Sequence, residues 1–139
     1  MATELRLESL ELSLALGALV LLLALNRAAR PSQADLVSRG QALRLEVHEV
    51  SSTRTVRAPS PILIGRMSSA TIEVEDPHVS RQHARIDFMD GVFVIRDLDS
   101  RNGTFVNGQP ITSRVSLSPG DRIDVGSTRI VVGGLVAWR

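Results

Sequence analysis

Cysteine is missing from the chain altogether, tyrosine is missing with it, and aromatic side chains make up only 3% of the residues. Without cysteine there is no disulfide, no thiolate nucleophile and no thiolate metal site. The absence suits a reducing compartment, and it suits a cysteine-free extracellular domain equally well. With so few aromatic platforms, stacking of single-stranded nucleic-acid bases is disfavoured, and a core has to be built from Val, Ile and Leu. An excess of one charge is also lacking. Sixteen Lys and Arg against 15 Asp and Glu leave a formal net charge of +1, so no overall field attracts nucleic acid or an acidic membrane. Basic character that matters must be local. At 139 residues there is room, once a tail is set aside, for one domain of about 100 residues, with little space for a large active-site cleft.

Composition changes abruptly near residue 27. Leu12 to Leu25 reads LSLALGALVLLLAL without a charge, and extension back past Glu11 to Leu10 and on to Asn26 defines an apolar segment over 10–26. Its length of about 17 residues sits at the lower edge of what spans a hydrocarbon core. Glu8 and Glu11 precede or interrupt the run, and Arg27 and Arg30 follow it. The positive-inside rule then places the N-terminus outside and residues 27 onward in the cytoplasm. A cleaved signal peptide needs a basic region before its apolar stretch, which Glu4, Glu8 and Glu11 oppose. A buried core helix needs enclosure on all sides, and a surface amphipathic helix needs a polar face that this run lacks. The expected organisation is a short tail over 1–9, a single transmembrane α-helix over 10–26, a Pro-, Ser- and Gly-containing linker over 27–41, and one domain over 42–139.

From Ala42 the texture is β. Short runs rich in Val, Ile and Leu alternate with polar residues and are broken at short intervals by Gly, Pro, Asn or Asp. Strands are expected near Leu43–Glu49, Arg54–Arg57, Ile62–Ile64, Thr71–Val74, Ala84–Phe88, Phe93–Asp97, Thr104–Val106, Gln109–Ile111, Arg122–Val125 and Arg129–Val136. Asp90-Gly91 and Asn107-Gly108 are the strongest hairpin signals, because both pairs supply residues that accept positive φ. Pro119-Gly120-Asp121 reads as another turn. No helical periodicity appears past residue 42, so the fold class is an all-β sandwich of about 10–11 strands.

Three polar clusters interrupt the strands: Gly65-Arg66, then Ser80-Arg81-Gln82-His83, then Ser100-Arg101-Asn102-Gly103-Thr104 with Asn107-Gly108 following. All lie where strands end, so loops at one end of a sandwich can bring them together. Guanidiniums offer forked, permanently charged donors to phosphate, a serine hydroxyl adds another, and an Asn amide pairs with peptide backbone.

In this order and at these separations, GR, SRQH and SRNGTFVNG resemble the signature of the forkhead-associated (FHA) domain family, over about residues 42–139. Asp97-Leu98 before the third cluster is also typical of that family. The resemblance implies an FHA-type sandwich that binds phosphothreonine on partner proteins and catalyses nothing. It implies that Arg66 holds the phosphate, that Ser80 donates its hydroxyl to it, and that Arg81 and Arg101 are auxiliary contacts. Asn102 is implied to bind the phosphopeptide backbone. His83 resembles the family's buried histidine, which bonds neighbouring loops, while Gly65, Gly103 and Gly108, with Asn107, are expected to support the site through tight turns. His78, Arg81 and the loop Arg66 to Thr71 are candidates to influence residues downstream of the phosphothreonine.

The implied partner is a phosphothreonine-containing protein, either a Ser/Thr kinase or a kinase substrate, with no metal, cofactor, nucleic acid or small-molecule substrate expected. With the anchor, the architecture resembles bacterial adaptors that act beside Ser/Thr kinases in envelope synthesis, division or secretion. Three competing readings remain. A hydrolase built on Ser80, His83 and Asp97 lacks a nucleophile elbow and an oxyanion-hole signature. A scaffold module with a disused phosphate pocket is expected to lack Arg66 or Ser80. A nucleic-acid binder could use a patch of Arg66, Arg81, Arg85 and Arg101.

Overall fold

The computed structural model describes residues 40–138. The strands are β1 Gln41–His48, β2 Thr53–Pro59, β3 Ile62–Gly65, β4 Ile72–Glu73, β5 Ala84–Met89, β6 Val92–Asp97, β7 Thr104–Val106, β8 Gln109–Pro110, β9 Val115–Leu117, β10 Arg122–Val125 and β11 Thr128–Ala137. They form a six-stranded sheet in the order β2-β1-β11-β10-β7-β8 and a five-stranded sheet in the order β4-β3-β5-β6-β9. Described pairs are antiparallel except β3 with β4. The described residues contain no helix, and so none long and apolar enough to cross a membrane. The expected tail 1–9, the transmembrane segment 10–26 and the linker up to residue 39 lie outside the described residues.

Alternation builds both sheets. Ile62 and Ile64 on β3, Ala84 and Ile86 on β5, and Phe93 and Ile95 on β6 are buried, as are Ile123 and Val125 on β10 and Ile130 and Val132 on β11. Side chains from the two sheets meet in one apolar cluster. Each fully buried Val, Ile or Leu contributes about 1.5–3 kcal/mol of transfer free energy, so a chain almost without aromatics still has a working core. Asp90 and Gly91 have φ of 51° and 85°, and Asn107 and Gly108 have 52° and 81°. Paired positive φ values at two-residue connections match the right-handed twist of the flanking strands.

The expected strands are all present, with one addition. The strand β9, Val115–Leu117, was absent from the expectation because its three residues bury only Leu117, too short a run to show alternation. Two strands are shorter than expected, β4 at Ile72–Glu73 and β8 at Gln109–Pro110. The domain also begins earlier than residue 42, since Gln41 already pairs with Ala137.

Register decides where the loops go. Ile64 lies opposite Ala84, and Ala84 opposite Asp97. In the other sheet Val125 lies opposite both Thr104 and Thr128. The connections β3–β4, β4–β5, β6–β7 and β10–β11 therefore emerge at one end of the sandwich.

Candidate functional site

All three polar clusters sit at that end. Arg66 follows β3 directly, Ser80 and Arg81 end the loop before β5, and Arg101 and Asn102 occupy the loop from β6 to β7. Arg66, Ser80, Arg81 and Arg101 line one open cavity of about 620 Å³, together with Met67, His78 and Val79. Arg66, Arg81 and Arg101 form no ion pair among the described residues. Three guanidiniums facing one cavity without a carboxylate partner make a locally cationic site in a chain whose net charge is nearly zero.

Backbone contacts hold these donors in place. The Arg66 amide donates to Ser80 O at 3.0 Å and its Nε donates to Val79 O at 3.3 Å, which leaves the two Nη groups for a ligand. Ser80 Oγ accepts the Arg101 amide at 3.0 Å, so its own proton remains free to donate. Asn102 is not part of the cavity wall. Its Nδ2 donates to His78 O at 2.7 Å, which ties the β6–β7 loop to the β4–β5 loop and leaves Oδ1 free to accept a peptide N–H.

His83 is fully buried. Its Nδ1 accepts the Ser80 amide at 3.0 Å, and its Nε2 faces Gly103 O at 2.9 Å. A nitrogen that accepts an N–H carries no proton, so Nε2–H is the donor to Gly103. One ring thereby joins two of the site's loops. Both ring nitrogens are committed to backbone, so His83 does not act as base toward Ser80 Oγ, and Asp97 is bonded elsewhere. The imagined Ser80–His83–Asp97 triad is not assembled.

Asp97 organises the third loop. Its Oδ1 accepts the hydroxyls of Ser100 and Thr104, each at 2.6 Å, and its Oδ2 accepts the Ser100 amide at 2.9 Å. Ser100 Oγ in turn accepts the Gly103 amide at 3.0 Å, and Gly103 has a φ of 84°, a conformation suited to glycine. Asp76, which sequence reasoning did not single out, plays the matching part in the second loop. It is only 6% exposed. Its Oδ1 accepts the His78 amide at 2.8 Å and the His78 ring Nδ1–H at 3.0 Å, and its Oδ2 accepts the Ser127 amide at 2.8 Å and hydroxyl at 2.7 Å. Asp76 thus clamps the β4–β5 loop onto the β10–β11 turn of the other sheet. The local signal was an Asx turn, an Asp bonding the amide two residues on.

Both carboxylates titrate below the usual carboxylate range. For Asp76 the Ser127 hydroxyl is the leading cause, followed by the amides of Ser127 and His78, with burial opposing and the His78 ring assisting. For Asp97 burial acts upward and is outweighed by the Ser100 and Thr104 hydroxyls and the Ser100 amide. A depressed folded pKa stabilises the fold above the unfolded value, about 3.9 for Asp, and that stability is lost as pH falls through the folded value. Unfolding midpoints in urea are therefore expected to hold steady from about pH 7 to 5 and to decline progressively below. Asp76→Asn is expected to flatten the decline, and an unchanged acid limb in that variant contradicts the role given to Asp76.

Two expected supports differ in place or cause. Asn107 and Gly108 lie at the opposite end of β7, where Asn107 Nδ2 donates to Asp121 at 3.0 Å and Asn107 Oδ1 accepts the Arg122 amide at 3.0 Å. They hold the far end of the sandwich, because a three-residue strand separates them from the third cluster. Gly65 lacks the expected turn conformation. A Cβ there would stand 2.2 Å from Arg81 O, so glycine is required by close approach of two backbones. The expected basic patch also divides, since Arg85 lies on β5 and lines another groove.

Known proteins resemble this chain in sequence and fold. The family model described as "FHA domain" matches residues 62–126. The FHA domain-containing protein FhaB of Mycolicibacterium smegmatis is 31% identical over 117 residues, covering 72% of this chain and 76% of that protein. The chain belongs to the FHA domain family. The oxoglutarate dehydrogenase inhibitor of Corynebacterium diphtheriae is 43% identical over 67 residues, 48% of this chain, and the match spans 46% of that relative's own length. Among solved FHA domains, one described for phosphothreonine-dependent FHA domain interactions is 33% identical with a TM-score of 0.61, covering 67% of this chain and 96% of that one. Mycobacterium tuberculosis EmbR, solved in complex with a low-affinity phosphopeptide, is 29% identical with a TM-score of 0.61, covering 69% of this chain and 26% of that chain.

Proposed function

We propose that this FHA domain is a phosphothreonine-dependent protein–protein interaction module, a membrane-tethered adaptor in bacterial Ser/Thr kinase signalling. The observation that carries the reading is the cavity lined by Arg66, Ser80, Arg81 and Arg101 from three separate loops, with donors not used by the protein itself. Arg66 and Ser80 take the phosphate, Arg81 and Arg101 add charge at its edge, and Asn102 fixes the register of the peptide backbone. Met67, half-buried on the same wall, offers apolar surface to a threonine methyl. Charge-assisted hydrogen bonds contribute roughly 1.5–3 kcal/mol each, offset by desolvation and ordering of the peptide, which sets the affinity in the micromolar range.

The partner is a Ser/Thr kinase or one of its substrates, met on the cytoplasmic side of the membrane. The apolar run over 10–26 supplies the tether, and tethering raises the effective concentration of a partner already at that surface. Titration of the full chain with a phosphothreonine peptide and its unphosphorylated twin tests the binding reading, and equal affinities refute it. Recovery of the full chain in the soluble fraction of lysed cells refutes the tether.

A further inference from the structure

The outer face of the five-stranded sheet carries a cross-strand pair that repulsion disfavours. Arg85 on β5 stands directly opposite Arg96 on β6, and like charges so placed destabilise a sheet. Asp87 serves both guanidiniums, 2.8 Å from Arg85 Nε and 3.9 Å from Arg96 Nε. The longer distance is no hydrogen bond. Arg96 Nε is thereby buried without a partner, the one such side-chain atom among the described residues. Buried donors in native folds find acceptors, and an orphan calls for an explanation.

Crowded below by one shared carboxylate, the two guanidiniums are open at their outer ends. Both arginines line a groove of about 460 Å³ together with Leu63, Thr71, Gln82 and Leu98. Their side chains are 41% and 40% exposed, so a ligand can reach them. Thr71 Oγ1 accepts the Leu63 amide at 3.1 Å, which leaves its hydroxyl proton free. The acidic groups that strand alternation puts on this face are Asp87, and Glu73 on β4 at the sheet edge. Gln82 belongs to the walls of both this groove and the phosphate cavity, so the two depressions adjoin.

We propose that this groove is a second docking site, which takes an acidic side chain of the same partner that presents the phosphothreonine. The proposal rests on the phosphothreonine reading above and extends it to a second point of contact. Two guanidiniums, through their solvent-exposed ends, and a hydroxyl converge on a carboxylate, while Leu63 and Leu98 receive the methylenes of a glutamate. From Gln82, two residues before β5, to Arg85 the chain spans at most about 10 Å, and the proposed phosphate position lies beyond Gln82, so an extended partner reaches the groove about five residues from its phosphothreonine.

The test measures binding of the full chain to three phosphothreonine peptides. One has neutral flanks, one carries glutamates about four to six residues before the phosphothreonine, and one carries them as far after it. One glutamate peptide is expected to bind roughly 3- to 10-fold more tightly than the neutral peptide, the scale of partly exposed ion pairs. Arg85→Gln with Arg96→Gln is expected to abolish that gain while leaving the neutral peptide's affinity unchanged, which also reports that the variant is folded. If neither glutamate peptide gains, or if the gain survives in the double variant, the second site is refuted and the phosphothreonine reading stands. If phosphate itself adds nothing to binding by the neutral peptide, both fall together.

Discussion

Replacing Arg66 by alanine is expected to weaken phosphothreonine peptide binding by about 30- to 1,000-fold, a loss of about 2–4 kcal/mol, with the fold retained. The magnitude follows from what the side chain does in the site. Its Nε is occupied by Val79 O, so the fork is oriented before the ligand arrives and little rotamer freedom is lost on binding. Alanine removes that preorganised fork and leaves Arg81 and Arg101, whose exposed guanidiniums supply charge without the same backbone anchor. Stability changes little because the lost intramolecular bond is a single 3.3 Å contact to a carbonyl on an exposed residue. Arg66→Lys separates charge from geometry. An ammonium keeps the charge but not the planar fork, and its affinity is expected between those of the wild type and the alanine variant. Calorimetric titration alongside urea unfolding reads both quantities. Tight binding by Arg66→Ala removes the assignment of Arg66 as the principal phosphate ligand.

The parts of this molecule that were legible in its sequence are those encoded within a few residues. Alternation together with turn signals revealed ten of the eleven strands, and it is clearest in β3, β5, β6, β10 and β11, where buried apolar residues stand two apart in the same run. Asp90-Gly91 and Asn107-Gly108 announced their hairpins because positive φ is a local property of those residue types. The residues proposed to hold the phosphopeptide were legible only as a set. Arg66, Ser80 and Asn102 are ordinary surface residues one at a time, and their order and spacing are what matched a known signature.

What stayed hidden was written in long-range contacts. Asp76 is decisive because it binds Ser127, 51 positions away, and no local pattern joins those two residues. The strand β9 owes its existence to a neighbour, with Phe93, Val94 and Ile95 of β6 providing the edge on which Val115–Leu117 pairs. Asn107 illustrates the converse. Its NG dipeptide follows the third cluster closely in sequence, yet β7 carries it to the far end of the sandwich. Nearness along a strand is distance in space. The orphaned Arg96 Nε was equally illegible, because a two-arginine cross-strand pair depends on the register of β5 against β6.

Gly65→Ala is expected to cost about 3–5 kcal/mol of stability and to abolish phosphopeptide binding in the molecules that remain folded. The added methyl would lie 2.2 Å from Arg81 O, 2.9 Å from Arg81 C and 3.1 Å from Ser80 O. Those atoms are backbone, so no side chain can swing aside. Relief requires β3 and the Ser80–Arg81 segment to separate. That movement strains the hydrogen bonds from the Arg66 amide to Ser80 O, 3.0 Å, and from the Met67 amide to Arg81 O, 3.2 Å. Those bonds set Arg66 beside Ser80, so relieving the clash pulls the two proposed phosphate ligands apart. Overpacking alone costs about 1–3 kcal/mol, and each weakened hydrogen bond adds about 1 kcal/mol, against a total stability of about 5–15 kcal/mol for a domain. Gly108→Ala provides the control. A Cβ there meets nothing within 4 Å, although its φ of 81° adds backbone strain, and it sits away from the proposed phosphate site, so it is expected to lower stability without changing peptide affinity. Urea unfolding and peptide titration on both variants decide the matter. If Gly65→Ala binds phosphopeptide as the wild type does, the close approach of these two backbones is not what assembles the site.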